Sequence, residues 1–397
     1  MKRLLQSCSL APAYVLTLVL ATAFPCLSRQ EMPLPENPLE GQKLFSEKGC
    51  VRCHSIMGRG GKIGSDLAKT QANHSPAGIV ALMWNHAADM SKAMEVWQSI
   101  PKLTEQELAS VVSFLFSIDY FDEPGDVVWG KVVFEKSGCR RCHQVGGNGG
   151  KIGPALDKVS RFGSPLFLAQ AMWNHGVGMS RTMERLGLAR PTFEGSEFAD
   201  LLKYLQSISA GDNYEMSFMV PGSPKKGERL FRSKGCITCH AVGEQRKAIG
   251  PDLTKKQFRR GAIAIAGSMW NHGYRMWQTM KQREITPPRF EGNELADIIA
   301  YLYFLEFQQR AGDPVRGKDL VQSKGCINCH LIGGRGGASG PDLARSQHFS
   351  NVLTIAARMW NHNLDMQKRM RESNIPFPRF AEREMTDLLS YIRFQGK

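Results

Sequence analysis

The pentapeptide Cys-x-x-Cys-His occurs four times in this chain: Cys50-Val51-Arg52-Cys53-His54, Cys139-Arg140-Arg141-Cys142-His143, Cys236-Ile237-Thr238-Cys239-His240 and Cys326-Ile327-Asn328-Cys329-His330. Two thiols three residues apart, followed at once by an imidazole, suit covalent attachment of haem through its two vinyl groups, with the histidine on the iron. A zinc site also uses paired cysteines, but the histidine directly after every second cysteine argues against that reading. Eight of the ten cysteines lie in these motifs, and the other two, Cys8 and Cys26, sit near the N-terminus. No internal disulfide framework is left to propose. The motifs therefore predict four haem c groups.

The pentapeptide is one part of a longer repeat. First motif cysteines are spaced by 89, 97 and 90 residues, the signature of a tandem array. Each unit opens with a short helical segment carrying Gly and an apolar residue four apart (Gly41/Phe45, Gly130/Phe134, Gly227/Phe231, Gly317/Val321) and ending at a glycine. Residues four apart share a helix face. After the motif comes a glycine-rich loop, ending in Gly64-Ser65-Asp66-Leu67, Gly153-Pro154-Ala155-Leu156, Gly250-Pro251-Asp252-Leu253 and Gly340-Pro341-Asp342-Leu343. A carbonyl of this loop is expected to accept the second ring N–H of the motif histidine. Next is Met-Trp-Asn-His-x-x-x-Met-x-x-x-Met, starting at Met83, Met172, Met269 and Met359. At about 100° per residue its methionines and histidine fall on one helix face. An amphipathic helix closes each unit, preceded by Pro191-Thr192-Phe193, Pro288-Arg289-Phe290 and Pro378-Arg379-Phe380, with Pro101-Lys102-Leu103 in the first unit. Strand-like alternation is nearly absent.

Lys2 and Arg3, the apolar stretch from Leu10 to Phe24 and Ala21-Thr22-Ala23 read as an export signal with its cleavage site. The stretch is short for a membrane span. Pro25 makes Cys26 a poor lipidation site, so membrane association is left open. The formal net charge is +14. Four haems with two propionates each would offset about 8 of those charges, since bound groups count as local charges. The basic residues are scattered, which argues against nucleic acid and for steering toward acidic redox partners. His74 and His348 have no counterparts in other units and read as surface residues.

The order of parts (Gly-x-x-x-Phe helix, Cys-x-x-Cys-His, Gly-Pro-x-Leu loop, distal segment, last helix with Tyr-Leu) resembles class I cytochrome c domains in tandem, over about residues 38 to 397. The resemblance implies an all-α fold of four small helical domains, each around one covalent haem: 38–123, 126–211, 222–310 and 313–397, after a signal peptide at 1–30. It implies covalent attachment at Cys50, Cys53, Cys139, Cys142, Cys236, Cys239, Cys326 and Cys329, with proximal iron ligands His54, His143, His240 and His330. It implies that first and last helices cross at the Gly/aromatic positions. It also implies that a proline carbonyl meets the proximal imidazole. Pro154, Pro251 and Pro341 match, whereas Ser65 does not, so a looser proximal contact is expected in the first unit.

The distal side departs from the family. The usual methionine directly before a proline is missing: that region holds Ile100, Arg190, Pro287 and Ile375 or their neighbours. Three sets on the repeated segment stand in for it. Met94, Met183, Met280 and Met370, each 40 residues after the proximal histidine, suit a small domain of this family best and are placed first. His86, His175, His272 and His362, or Met90, Met179, Met276 and Met366, are the alternatives. Trp84 and its equivalents are expected to pack on the macrocycle, with Asn85 and His86 holding propionates. A haem between the first and last helices is expected to supply apolar bulk that a unit of this size lacks.

These features predict an exported carrier of single electrons, periplasmic or on the outer face of a membrane, rather than an enzyme. A multihaem peroxidase-like enzyme with one open distal site, and the haem subunit of a membrane respiratory complex, are the competing readings.

Overall fold

The computed structural model describes residues 34–69, 75–95, 101–121, 125–158, 165–208, 221–243, 248–255, 261–307, 312–345, 349 and 351–396. The proposed export signal, Cys8, Cys26, His74, His348 and Ile100 fall outside them. The fold is all-α, as the sequence predicts. The helices form four sets: α1 (Glu40–Glu47), α2 (Pro76–Asn85), α3 (Ala87–Glu95) and α4 (Glu105–Phe116); α5 (Val127–Lys136), α6 (Pro165–Arg185) and α7 (Glu197–Ile208); α8 (Pro224–Ser233), α9 (Gly261–Gln282) and α10 (Glu294–Phe304); α11 (Pro314–Ser323), α12 (Val352–Glu372) and α13 (Glu384–Gln395). We call these sets units 1 to 4. The only paired strands among the described residues are two-residue hairpins after the first two motifs, β1 (Ser55–Ile56) with β2 (Arg59–Gly60), and β3 (Gln144–Val145) with β4 (Asn148–Gly149). No helix among the described residues is long and apolar enough to cross a membrane.

Local chemistry sets the helix ends. Asp126, Ser223, Asp313 and Asn351 cap α5, α8, α11 and α12 by accepting backbone N–H groups of the first turn. Thr104 and Glu107 form a reciprocal capping box on α4. Each first helix stops at a glycine in the left-handed region (Gly49, Gly138, Gly235 and Gly325, φ 69° to 81°), a conformation that costs a side-chain-bearing residue stability. The chain is thereby turned straight into the cysteine motif.

Within a unit the first and last helices cross in direct contact. A Cβ at Gly41, Gly130, Gly227 or Gly317 would collide with the carbonyl of Ser110, Asp200, Asp297 or Asp387 on the last helix. Phe45, Phe134, Phe231 and Val321 lie one turn on, all buried. The crossing that the resemblance implies is present, and the two helices touch directly at that point.

Other units also contribute to the core of each unit. The Trp and Asn of each long segment reach across to the Pro-x-Phe loop of a different unit. Trp84 donates to the Pro378 carbonyl (2.8 Å) and Trp360 to that of Pro101 (2.9 Å), joining units 1 and 4 reciprocally. Trp173 donates to Pro288 (3.0 Å) and Trp270 to Pro191 (2.9 Å), joining units 2 and 3 in the same way. Each asparagine side chain grips the backbone of one residue at both N–H and C=O: Asn85 with Phe380, Asn361 with Leu103, Asn174 with Phe290, Asn271 with Phe193, all within 2.7 to 3.0 Å. The indoles are buried in this seam, so the expectation that they lie on the macrocycle, with Asn85 holding a propionate, is corrected. Trp84→Phe would keep the ring and orphan the Pro378 carbonyl. We expect a loss of about 1 kcal/mol, to be read in the thermal unfolding of the haem-loaded protein.

The two seams differ where the paired helices come closest. Between units 2 and 3, Trp277 of α9 lies against Gly176 of α6, where a Cβ would collide with the indole. Between units 1 and 4 the same zone is polar. Buried Ser91 accepts from Asn363 Nδ2 (3.1 Å) and Gln367 Nε2 (3.4 Å), and Gln367 also donates to Asn363 Oδ1 (2.8 Å). Units 1 and 3 meet through their last helices. The Tyr303 hydroxyl donates to the Phe116 carbonyl (2.8 Å), and Phe116 lies 5.2 Å from the rings of Tyr303, Phe304 and Phe307. The units are thus arranged in the order 4–1–3–2.

Candidate haem sites

Each cysteine motif forms a single turn of 3-10 helix whose N–H groups fold back on the first cysteine: His54, His143, His240 and His330 donate their backbone N–H to the carbonyls of Cys50, Cys139, Cys236 and Cys326, all at 3.0 Å. All eight motif cysteines are half-buried. Burial pushes the first thiol of each motif up, to about 11 for Cys139, Cys236 and Cys326.

The motif histidines are held alike in all four units. Ring Nδ1 lies 3.0 Å from the Ser65 carbonyl, 2.9 Å from Pro154, 3.2 Å from Pro251 and 3.0 Å from Pro341. A carbonyl partner requires Nδ1–H, which leaves the Nε2 lone pair for a metal. The contact expected to be looser in the first unit is as short as the others, because it uses a backbone carbonyl that serine supplies as well as proline. The neighbouring glycine packs on the imidazole itself. A Cβ at Gly64, Gly250 or Gly340 would lie 2.5 to 2.6 Å from ring atoms, and one at Gly153 closer still. These glycines let the backbone press the ring into one orientation.

Carboxylates brace the loop that carries the carbonyl. Burial alone would push the Asp66 carboxyl up, but N–H groups of Gly58, Ala68 and Met57 hold it below its ordinary value. Asp252 is lowered likewise against burial, by the Thr254 hydroxyl and by N–H groups of Gly243 and Thr254. In unit 2, where Ala155 replaces that aspartate, Asp157 accepts from Gly146 (2.8 Å) instead. A depressed carboxyl stabilises the fold above its unfolded pKa, and that contribution disappears as pH falls through the folded pKa. Acidification below about pH 4 should therefore speed amide exchange at Gly58 and Gly243, after correction for intrinsic rates. Asp66→Asn should remove that acid step at Gly58.

The distal candidates are placed unevenly. The first methionines Met90, Met179, Met276 and Met366 are half-buried and pack on the apolar core, as does Met280 of the second set. Met183 and Met370 are half-buried, and the side chain of Met94 lies outside the described ones. The histidines His86, His175, His272 and His362 are exposed. Each ring Nδ1 meets the carbonyl four residues back, Leu82 (2.9 Å), Ala171 (2.8 Å), Ser268 (3.0 Å) and Arg358 (2.8 Å). In unit 3, burial lowers the pKa of His240, the Pro251 carbonyl opposes this, and the charge of His272 lowers it further.

In units 2 and 4 the residue before the loop proline faces the seam. The Arg190 guanidinium lies over Trp270 (4.0 Å to the ring centroid) and Trp277 (4.9 Å), and burial pulls its pKa down to about 10. Phe377 stacks on Trp84 at 4.7 Å and 18°. Sequence reading missed that the Trp-Asn pair and the Pro-x-Phe loop recognise each other. The recurrence of Trp-Asn in every unit, with Pro-x-Phe in three and Pro101-Lys102-Leu103 in the first, was the available signal.

Paired thiols in a one-turn helix, an imidazole with its tautomer set by a carbonyl and a glycine cradle against the ring together fit a covalently held haem. The family profile described as Cytochrome c matches residues 39–119, 224–305 and 314–395. The chain belongs to the cytochrome c family, whose domains bind haem c and serve electron transfer. No curated protein and no solved structure matched it.

Proposed function

We propose that the protein is an exported tetrahaem carrier of single electrons, with one haem c in each of the four units, 38–123, 126–211, 222–310 and 313–397. The observation that supports this most is the fourfold recurrence of one motif geometry, including unit 2, which lies outside the matched segments. Cys50 and Cys53, Cys139 and Cys142, Cys236 and Cys239, and Cys326 and Cys329 would hold the groups. His54, His143, His240 and His330 would ligate the iron. When bound, the haems supply Fe(III)/Fe(II) cycling. The chain's own part is to orient each proximal imidazole through its loop carbonyl and to limit solvent access by burial, both of which set the potential. Similar histidine settings in all units support a carrier over an enzyme with one open site. The basic net charge favours acidic protein partners, recruited by a steering effect that salt weakens. The N-terminal segment supports delivery to the periplasm or the outer face of a membrane, where c-type haem is attached.

A pyridine haemochrome assay with intact-protein mass should return four covalent haems per chain. Redox titration should then show reversible one-electron steps for all of them. Fewer than four haems, or iron-free protein from a host competent in haem attachment, would overturn the reading.

A further inference from the structure

We infer that the second iron ligand in each unit is a histidine of the distal segment, His86, His175, His272 and His362, so that every haem is held between two imidazoles. This rests on the haem-carrier reading above. Two observations narrow the choice. In units 2 and 4 the place before the loop proline is committed to the seam: Arg190 lies over the indoles of Trp270 and Trp277, and Phe377 lies on Trp84. In those two units the loop position is taken up by unit pairing. On the distal segment, the first methionine of each unit is half-buried against the apolar core, as methionine is when it fills gaps. The second stands in the last turn of its helix. The carbonyls of Met183, Met280 and Met370 each accept the N–H of the residue five further on, Leu188, Ile285 and Ile375.

The histidines alone share one complete setting. Nδ1–H is taken up by the carbonyl four residues back in all four units, at 2.8 to 3.0 Å, although the residue supplying that carbonyl differs each time. Nε2 is left with its lone pair, the state a metal needs. The proximal histidines reach the same state with their loop carbonyls.

The wild-type haem-loaded protein should be low-spin when oxidised and lack the far-red sulfur-to-iron band of methionine ligation. His272→Ala should turn about a quarter of the haem high-spin. The same fraction should bind carbon monoxide when reduced, and added imidazole should restore the low-spin spectrum. Met276→Leu and Met280→Leu should change neither signal. A far-red band in the wild type, or four carbon-monoxide-inert haems in His272→Ala, would overturn the assignment even if the chain carries its four haems. A haem count below four would instead count against the carrier reading. The wild-type spectrum decides the matter if the alanine variant does not fold.

Discussion

Gly176→Val should break the seam between units 2 and 3, with a loss of about 3 kcal/mol, at the upper end for overpacked interiors. The position is tight because the indole of Trp277 already occupies the space that a β-carbon needs. Trp277 cannot yield easily, since Trp173 lies 5.3 Å and Trp270 6.4 Å from it within the same cluster. Trp277→Ala alone should cost about 3 to 5 kcal/mol through the cavity it leaves. The two changes should not add: valine in the vacated space would recover part of the loss. A double-mutant cycle on chemical denaturation of the haem-loaded protein measures that coupling. Strict additivity would mean that the two residues do not meet.

The second large effect concerns the proximal ligand. Gly250→Ala would bring a methyl group to 2.6 Å from the His240 ring, forcing the imidazole or its loop to move. The Pro251 carbonyl contact, at 3.2 Å already the longest of the four, would be the first to lengthen. An imidazole less firmly hydrogen-bonded is a weaker donor to iron. Weaker donation destabilises the oxidised state more, so the potential of that haem should rise. A differential effect of about 1.4 kcal/mol corresponds to roughly 59 mV for one electron. Spectroelectrochemical titration should find one haem in four moved upward and three unchanged. An unmoved set of potentials would show that the glycine cradle has no electronic consequence.

The arrangement 4–1–3–2 gives each unit a core it could not build alone. Small helical domains bury too little apolar surface to be secure, and here Trp84, Trp173, Trp270 and Trp360 are buried in a seam with another unit. Pairing specificity has a steric basis. Trp277 tolerates Gly176 opposite it, whereas unit 1 has Ala87 and unit 4 has Asn363 at the matching position. The Ser91–Asn363–Gln367 network in turn satisfies its own polar groups only when units 1 and 4 are together. A half-satisfied buried network is costly, so mispairing is penalised at both seams.

Much of this protein was legible one unit at a time. The attachment turns and the loop carbonyl beside each motif histidine depend on residues close in sequence, and their spacing carries the geometry, because hydrogen bonds act over fixed short distances. The glycine-to-carbonyl helix crossings were implied by the family resemblance. The Trp-Asn motif was equally visible but was assigned to the wrong partner: Trp84 and Trp360 look like haem-packing residues until the carbonyls of Pro378 and Pro101 are found on their indole N–H groups. Which unit pairs with which was decided only in three dimensions. Four copies of one recognition motif are locally equivalent, and what separates them is the fit of Gly176 to Trp277 and of Ser91 to Asn363 and Gln367, contacts that join residues roughly 100 and 270 positions apart.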